Sequence, residues 1–354
     1  MMNNLKQKLF KFVGGRILKT GLAAFITAWI CDALGLPVLF AVITAIVTVE
    51  PTASDSIKKG IVRFPAAAIG AGFALLFGSF LHQSPFTYAL AATLTLIACH
   101  KLHLDSGMLV ATLTAVAMIP DMTGDYMTTF LIRLSTTLIG ILVSTAVNYF
   151  VMPPKFHPMI NQSVEGLYHS AGDLLDQIMR DLPHARKQNL VYQRVSRELE
   201  RTYKLIEYQR EEWKYRRHSM QEVRSFSVVL KKLEYLQKIL YHLGNMLYVD
   251  TKKGFEEKDY DTIIQAGCSI SNAFHNPTNQ TREEHLEKIE QLDQLFHDLD
   301  DTRTTSSKSR HHFDDKMIII FELLSLNDVL DDLYMLEQKE LRHYKRSPYN
   351  DAEI

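Results

Sequence analysis

Cysteine and tryptophan are scarce in this chain of 354 residues, and recognisable chemical motifs are scarcer. Its three cysteines, Cys31, Cys99 and Cys268, are an odd number with no paired spacing, which excludes a disulfide framework. No CxxC or HExxH pattern offers a metal site, and no GxxxxGK[ST] offers a nucleotide loop. With no nucleophile, metal or nucleotide motif in view, neither an enzyme nor a cofactor is expected. Overall charge is also nearly absent, at −1.

That average conceals two unlike halves. Through Lys155 there are eleven Lys/Arg against six Asp/Glu, a net of +5, and the other 28 and 34 leave −6. Apolar residues crowd the first half, while the second reads as charged helix throughout. Two solvents account for this better than one globular core, with a transmembrane domain at 1–154 and a cytoplasmic α-helical domain at 155–354.

The first half holds what the motifs lack, namely long hydrophobic runs. Ile17–Leu34, Ile61–Leu81 and Tyr126–Met152 are long enough for a hydrocarbon core of ~30 Å at ~1.5 Å per residue. Pro85–Cys99 is borderline, and Pro37–Val49 and Gly107–Ile119 are short, as thin or broken spans are. Lys6, Lys8, Lys11, Arg16 and Lys19 ahead of Gly21–Ile30 have the order of a signal peptide. Further apolar runs follow at once, so Leu5, Leu9 and Phe12/Val13 read better as a short interfacial helix. With six spans and the N-terminus inside, Lys58, Lys59, Lys101 and Lys155 fall on the inner side. The outer loops then hold no Lys or Arg, which is the positive-inside asymmetry. Both termini are therefore expected in the cytoplasm, in a bacterial plasma membrane.

The same half repeats at an offset of 70. Thr44-Ala45 falls on Thr114-Ala115, Asp55 on Asp125, Arg63 on Arg133 and Ile69-Gly70 on Ile139-Gly140. Three spans per copy is an odd number, so the copies are expected to be inverted, as around transporter binding sites. Small or short polar residues recur every four positions, at Ala66, Gly70, Ala74 and Gly78 and at Thr136, Gly140, Ser144 and Asn148. Such stripes let helices pack closely in lipid. The expected fold is thus all-α: a six-span bundle of two inverted three-helix repeats, followed by a cytoplasmic helical bundle.

Charges in apolar sequence mark the candidate path. Arg133 lies about seven residues into its run, ~10 Å deep at helical rise, where an arginine either lines a pathway or snorkels. Arg63, Lys58 and Lys59 sit at the inner mouth, as path residues or topology anchors. Asp32 stands near the end of the first span, as a partner for Arg133, a proton acceptor or a helix-end acid. Glu50 precedes Pro51, and Thr52-x-x-Asp55 has the form of a capping box. His100 and His103 flank Lys101 in an inner loop, with a proton relay as their functional reading. A path lined with Arg and Lys suits carboxylates, which guanidinium binds bidentately.

In the second half Phe226, Val229, Leu233, Leu236, Leu240, Leu243 and Leu247 alternate steps of three and four, a bundle or coiled-coil pattern. Leu167–Ile178 and Tyr192–Ile206 continue it, and a final helix spans about Asp315 to Tyr344. Trp213-Lys-Tyr-Arg-Arg-His218 mixes aromatic and basic residues but lies among Glu211, Glu212 and Glu222, so a solvated helix face is expected rather than nucleic acid. His311-His312-x-Asp314-Asp315 reads as a helix start rather than a metal site, and no catalytic residue is assigned.

Arg16-x-x-Lys19-Thr20-x-x-Ala23, Glu50–Gly60 leading to Arg63 and Gly70, and Arg133 to Pro153 together resemble the bacterial aromatic acid exporter family, relatives of the fusaric acid resistance proteins. The resemblance covers about residues 14–154, and the layout is also similar to that of the plant malate channels, which are dimers. It implies export of aromatic or other organic carboxylates. An organic-anion channel and a non-transporting scaffold whose cytoplasmic bundle binds partners are the alternatives. The partners expected are the lipid bilayer, a small organic anion and a second copy in a homodimer or higher oligomer, with no nucleic acid.

Overall fold

The computed structural model describes residues 15–121, 125–151, 156–215, 218–249, 257–275, 282–305 and 314–346, all helix and connecting turns with no strand among them. Among the described residues twelve α-helices run α1 Gly15–Ala33, α2 Val38–Thr48, α3 Ala53–Leu81, α4 Pro85–Lys101, α5 Met108–Met118, α6 Tyr126–Phe150, α7 Phe156–Arg180, α8 Asn189–Trp213, α9 Met220–Met246, α10 Glu257–His275, α11 Arg282–Thr305 and α12 Asp315–Arg346. They form two compact units, Met1–Lys155 with Tyr208–Arg217, and Phe156–Glu207 with His218–Ile354. The N-terminal interfacial helix expected from Leu5, Leu9 and Phe12/Val13, and the His311-His312 pair, lie outside the described residues.

In the first unit α3 and α6 are long and apolar enough to cross a membrane, while α2 and α5 are shorter apolar helices. At eleven residues each, α2 and α5 are only about 16 Å long. Helix boundaries follow local chemistry. Pro37 opens α2, Pro85 occupies the first turn of α4 where no N–H is missed, and the Thr52 and Ser84 hydroxyls accept from Asp55 N and Thr87 N.

The 70-residue offset reappears in the packing. α1 packs on α2 as α4 does on α5; α3 packs on α5 as α6 does on α2; α3 packs on α4 as α6 does on α1. Seven buried positions of α3, Arg63, Ala66, Ala67, Gly70, Ala71, Ala74 and Gly78, fall at this offset on buried positions of α6, Arg133, Thr136, Thr137, Gly140, Ile141, Ser144 and Asn148, while Val147 of α6 has no buried counterpart. A correspondence not visible at offset 70 emerges at 68: Lys19, Ala23, Thr27 and Cys31 of α1 match Thr87, Ala91, Thr95 and Cys99 of α4.

Two glycines show the exchange at atomic scale. A Cβ on Gly70 would stand 2.1 Å from the Ala111 carbonyl oxygen, and one on Gly140 would stand 2.5 Å from that of Ala41. Ala41 and Ala111 are themselves 70 apart, so each glycine meets the matching alanine of the other triplet, and no larger residue fits either crossing. α3 and α6 pack antiparallel. Ser56 of α3 meets Asn148 of α6, and Gly60 further along α3 meets Ile141 further back along α6.

The second unit is a bundle in which α7 packs on α9 and α10, and α12 on α9, α10 and α11. The stripe Phe226 to Leu247 is buried along α9, as are Leu167, Ala171, Leu174 and Ile178 along α7. Ser219 opens α9 with a complete capping box to Glu222.

Candidate functional site

The break between α2 and α3 organises the first polar centre. Pro51 has no N–H to continue a helix, and Val49 and Thr52 are extended, so Glu50 sits in a non-helical link. Lys59 and Arg63, one turn apart on α3, both reach it: Arg63 Nη2 lies 2.5 Å and Lys59 Nζ 2.9 Å from its carboxylate. Arg63 Nε also donates to the Ser106 carbonyl at 3.1 Å, while its buried Nη1 has no hydrogen-bond partner among the described residues. Buried non-helical backbone needs its polar groups satisfied by protein. Asn148 of α6 meets that need, its amide donating to the Glu50 and Thr52 carbonyls and to Ser56 Oγ at 3.0, 2.9 and 2.8 Å. Its own carbonyl oxygen accepts from Lys19 Nζ at 2.8 Å. Ser144 on the same face exchanges a hydrogen bond with Thr48 at 2.6 Å.

Arg133, the counterpart of Arg63, is met differently. Its guanidinium carbon lies 3.7 Å from the centroid of the Phe40 ring, and Nη2 donates to Thr114 Oγ1 at 3.3 Å. A stacked cation of this kind gains ~0.5–2 kcal/mol and keeps its charge. Position 120, which the offset aligns with Glu50, is proline. Arg63 is thus countered by an acid, and Arg133 sits under an aromatic face. Both guanidinium groups are buried, at 6 % and 7 % exposure.

Between the two short helices lies a cavity of about 50 Å³. Phe40, Ile43, Thr44 and Val47 line it from α2, and Val110, Leu113, Thr114 and Ala117 from α5, the same four positions of each copy. Arg133 alone adds a charge to this lining.

Other sequence candidates fall elsewhere. Asp32 is exposed at the end of α1, and no ion pair of its carboxylate occurs among the described residues. His100 is exposed and 3.4 Å from Asp105, and His103 occupies a left-handed turn (φ 56°). In the Trp213 stretch Lys214, Tyr215 and His218 are exposed and Trp213 is half-buried, while the neighbouring Glu211 and Glu212 turn onto α3. The Glu212 carboxylate accepts from Ala53 N at 2.6 Å, and Glu211 binds Lys58 at 2.5 Å and Ser54 Oγ at 2.9 Å. These acids occupy the N-terminus of α3, where unpaired N–H groups and the helix dipole favour negative charge. Hydrogen bonds from Lys214 and Lys58 hold the Glu211 carboxyl at about 2. A pair of acids at the C-terminal end of α8 is the signal that was readable, because the dipole disfavours them there. Lys19, Phe40 and Asn148 carried no such signal; a lysine before an apolar run reads as an anchor, and a lone Phe or Asn in a span as packing.

Residues 11–151 match the family model described as aromatic acid exporter family member 1. A UPF0421 protein of Bacillus cereus is 40 % identical over 345 residues, covering 94 % of this chain and 97 % of that one. The chain belongs to the aromatic acid exporter family. A UPF0421 protein of Halalkalibacterium halodurans is 39 % identical over 333 residues (94 % and 91 % covered), and one of Staphylococcus saprophyticus 34 % identical over 328 residues (91 % and 97 % covered). The similarity to these relatives therefore runs through the helical second unit as well. Family membership places the chain in a membrane and points to a transporter rather than an enzyme.

Proposed function

We propose that this family member is a six-span exporter of aromatic or other organic carboxylates, with the anion passing Arg133 between two inverted three-helix repeats. The observation that carries the reading is the cavity between α2 and α5, lined by matched positions of the two copies with one arginine at its wall. Short helices meeting at matched positions of inverted repeats are where transporters hold substrate. The antiparallel crossing of α3 and α6, and the exchange of Gly70–Ala111 for Gly140–Ala41, favour inversion over chance similarity. A buried guanidinium suits a carboxylate. Glu50, Lys59 and Arg63 form the inner mouth in this reading, with Asp32 toward the outer face. Both termini lie in the cytoplasm of a bacterial cell, and the unit assembles as a homodimer or higher oligomer.

The test is flux of benzoate and related arenecarboxylates in proteoliposomes. Arg133→Ala is expected to lower it at least tenfold with normal protein recovery, and Arg133→Lys to retain part. Undiminished flux in the alanine variant would overturn the path. A cysteine at Ser84 is expected to label from outside intact cells, and one at His103 is not.

A further inference from the structure

We propose that a cavity in the helical second unit is a binding site for a small organic ammonium ion. The inference concerns a unit to which the transport reading gives no task, and it does not depend on that reading.

The cavity has a volume of about 380 Å³, within the ~300–1,000 Å³ that small-molecule sites occupy. One face each of α7, α9 and α12 converges on it with the last turn of α10. Val164, Val228 and Leu333 give its wall apolar surface against which a hydrocarbon body can pack.

The polar part of the lining sets the ligand's chemistry. Its fixed cation and its phenol are committed. Lys232 Nζ lies 2.8 Å from Glu337 Oε1, and the Tyr168 hydroxyl donates to the Lys232 carbonyl at 2.8 Å. His169 and His275 meet Nδ1 to Nδ1 at 3.0 Å, so one of the two rings accepts and is neutral. His275 Nε2 turns to Asp173 at 3.3 Å.

The acceptors, by contrast, are in surplus. Glu165 and Glu340 form neither an ion pair nor a hydrogen bond among the described residues, and Glu337 gives Lys232 only one of its oxygens. Asn161 Oδ1 is buried without a hydrogen-bond partner, a state that buried polar atoms rarely hold. Three carboxylates against one lysine leave the lining negative, even with the second imidazole charged. A carboxylate entering here meets repulsion. An ammonium supplies both the positive charge and the N–H donors that these oxygens lack. The rings of Tyr168 and Phe274 in the same lining also favour a cation. The site therefore selects against the class of anion proposed for the path in the first unit, and its ligand is a second chemical species.

The test uses the full chain in detergent at neutral pH, with phenethylammonium as the probe. 2-Phenylethanol is its neutral counterpart and phenylacetate its anionic one, and binding is read by calorimetric titration beside thermal shift. Phenethylammonium is expected to bind saturably, one per chain, at least tenfold more tightly than either control. Glu165 and Glu340 are exposed, so Glu165→Gln with Glu340→Gln spares the fold, and the pair is expected to weaken binding at least tenfold. Val228→Phe fills the cavity and is expected to abolish binding; should it not be recovered, the glutamine pair decides. Absence of saturable phenethylammonium binding, or equal binding of the alcohol, overturns the proposal. Tighter binding of phenylacetate overturns the charge argument and the proposal with it, and full affinity in the glutamine pair places the amine elsewhere. Arg133→Ala, which tests the path, is expected to leave phenethylammonium binding unchanged, so the two readings fail separately.

Discussion

The two units are built inside out with respect to one another. In the first, most buried positions are Ala, Gly, Thr and Ser, with Met118 and Ile119 as exceptions, and large apolar side chains such as Phe25, Trp29, Ile61, Phe80, Phe86 and Phe150 are exposed. In the second, Leu, Ile, Met and Phe fill the interior, and charge lies outside. Water expels large apolar groups and so drives the second arrangement. Lipid gives them no reason to hide, and close backbone contact between small residues becomes the cohesive term. The same twenty amino acids thus hold helices together by bulk in one unit and by its absence in the other. Polar groups follow the same division. The first unit hides Lys19, Arg63 and Arg133 with specific partners, whereas the second pairs most of its charges at the surface, as in Lys231–Glu234 and Arg201–Glu198.

The sharpest way to break that contrast is to add volume where the first unit has none. Gly70→Leu and Gly140→Leu each drive a side chain into a carbonyl of the facing helix, and both are expected to abolish recovery of folded protein from detergent. Monodisperse, wild-type-stable protein from either variant would mean that α3–α5 and α6–α2 do not touch as described.

Removing volume is the complementary test. Leu236→Ala empties a site of 0 % exposure in the second unit and is expected to cost ~2–5 kcal/mol. Phe80→Ala, 76 % exposed in the first unit, is expected to change stability by no more than ~0.5 kcal/mol, although the atoms removed are more numerous. Equal destabilisation by the two in detergent thermal scans would dissolve the comparison.

Glu50→Gln tests the polar side of the same contrast. Breaking a buried ion pair by removing one partner costs ~3–5 kcal/mol because the other charge is left uncompensated. Here Lys59 and Arg63 both lose their acid, so a clear fall in melting temperature is expected, and Arg63→Gln made on top of it should restore part of the loss. No rescue in the double variant would mean that Arg63 is held mainly by the Ser106 carbonyl.

How much of this was legible in the sequence differs between the units for a physical reason. The bundle stripe Phe226 to Leu247 is a period that burial imposes directly, and it could be read residue by residue. The 70-residue match was equally readable from Arg63/Arg133 and Gly70/Gly140. The match between α1 and α4 was not, because a two-residue difference in linkage shifts it to 68 and its signature is only Ala23/Ala91, Thr27/Thr95 and Cys31/Cys99. The site was half visible. An arginine in an apolar run announces itself, but what faces it does not. Nothing in the sequence distinguishes Phe40 from any other aromatic in a span, or assigns Glu50 to two cations rather than to a helix cap. Those facts depend on tertiary contact between elements separated by a break in the chain.

The smallest effect belongs to the acidic end of α8, which lies within the first unit. Lys214, Lys58 and Ser54 hold the Glu211 carboxyl at about 2, below the ordinary 4.5. A depressed carboxyl contributes stability that is complete above the unfolded value and is lost as pH falls through the folded one, so the Lys58–Glu211 contact should persist from neutral pH to about 4 and fail between there and about 2. Because both side chains are partly open to solvent, the contribution is small and shrinks with added salt. Hydrogen exchange at the first turn of α3, corrected for intrinsic rate, is the measurement. Protection of Ser54 to Ser56 should hold between pH 7 and 4 in wild type and drop two- to fivefold in Glu211→Gln across that window. Glu212→Gln should do more, since its buried carboxylate takes the Ala53 N–H itself. Protection that already falls between pH 5 and 4 in wild type would show that Glu211 titrates as an ordinary surface acid.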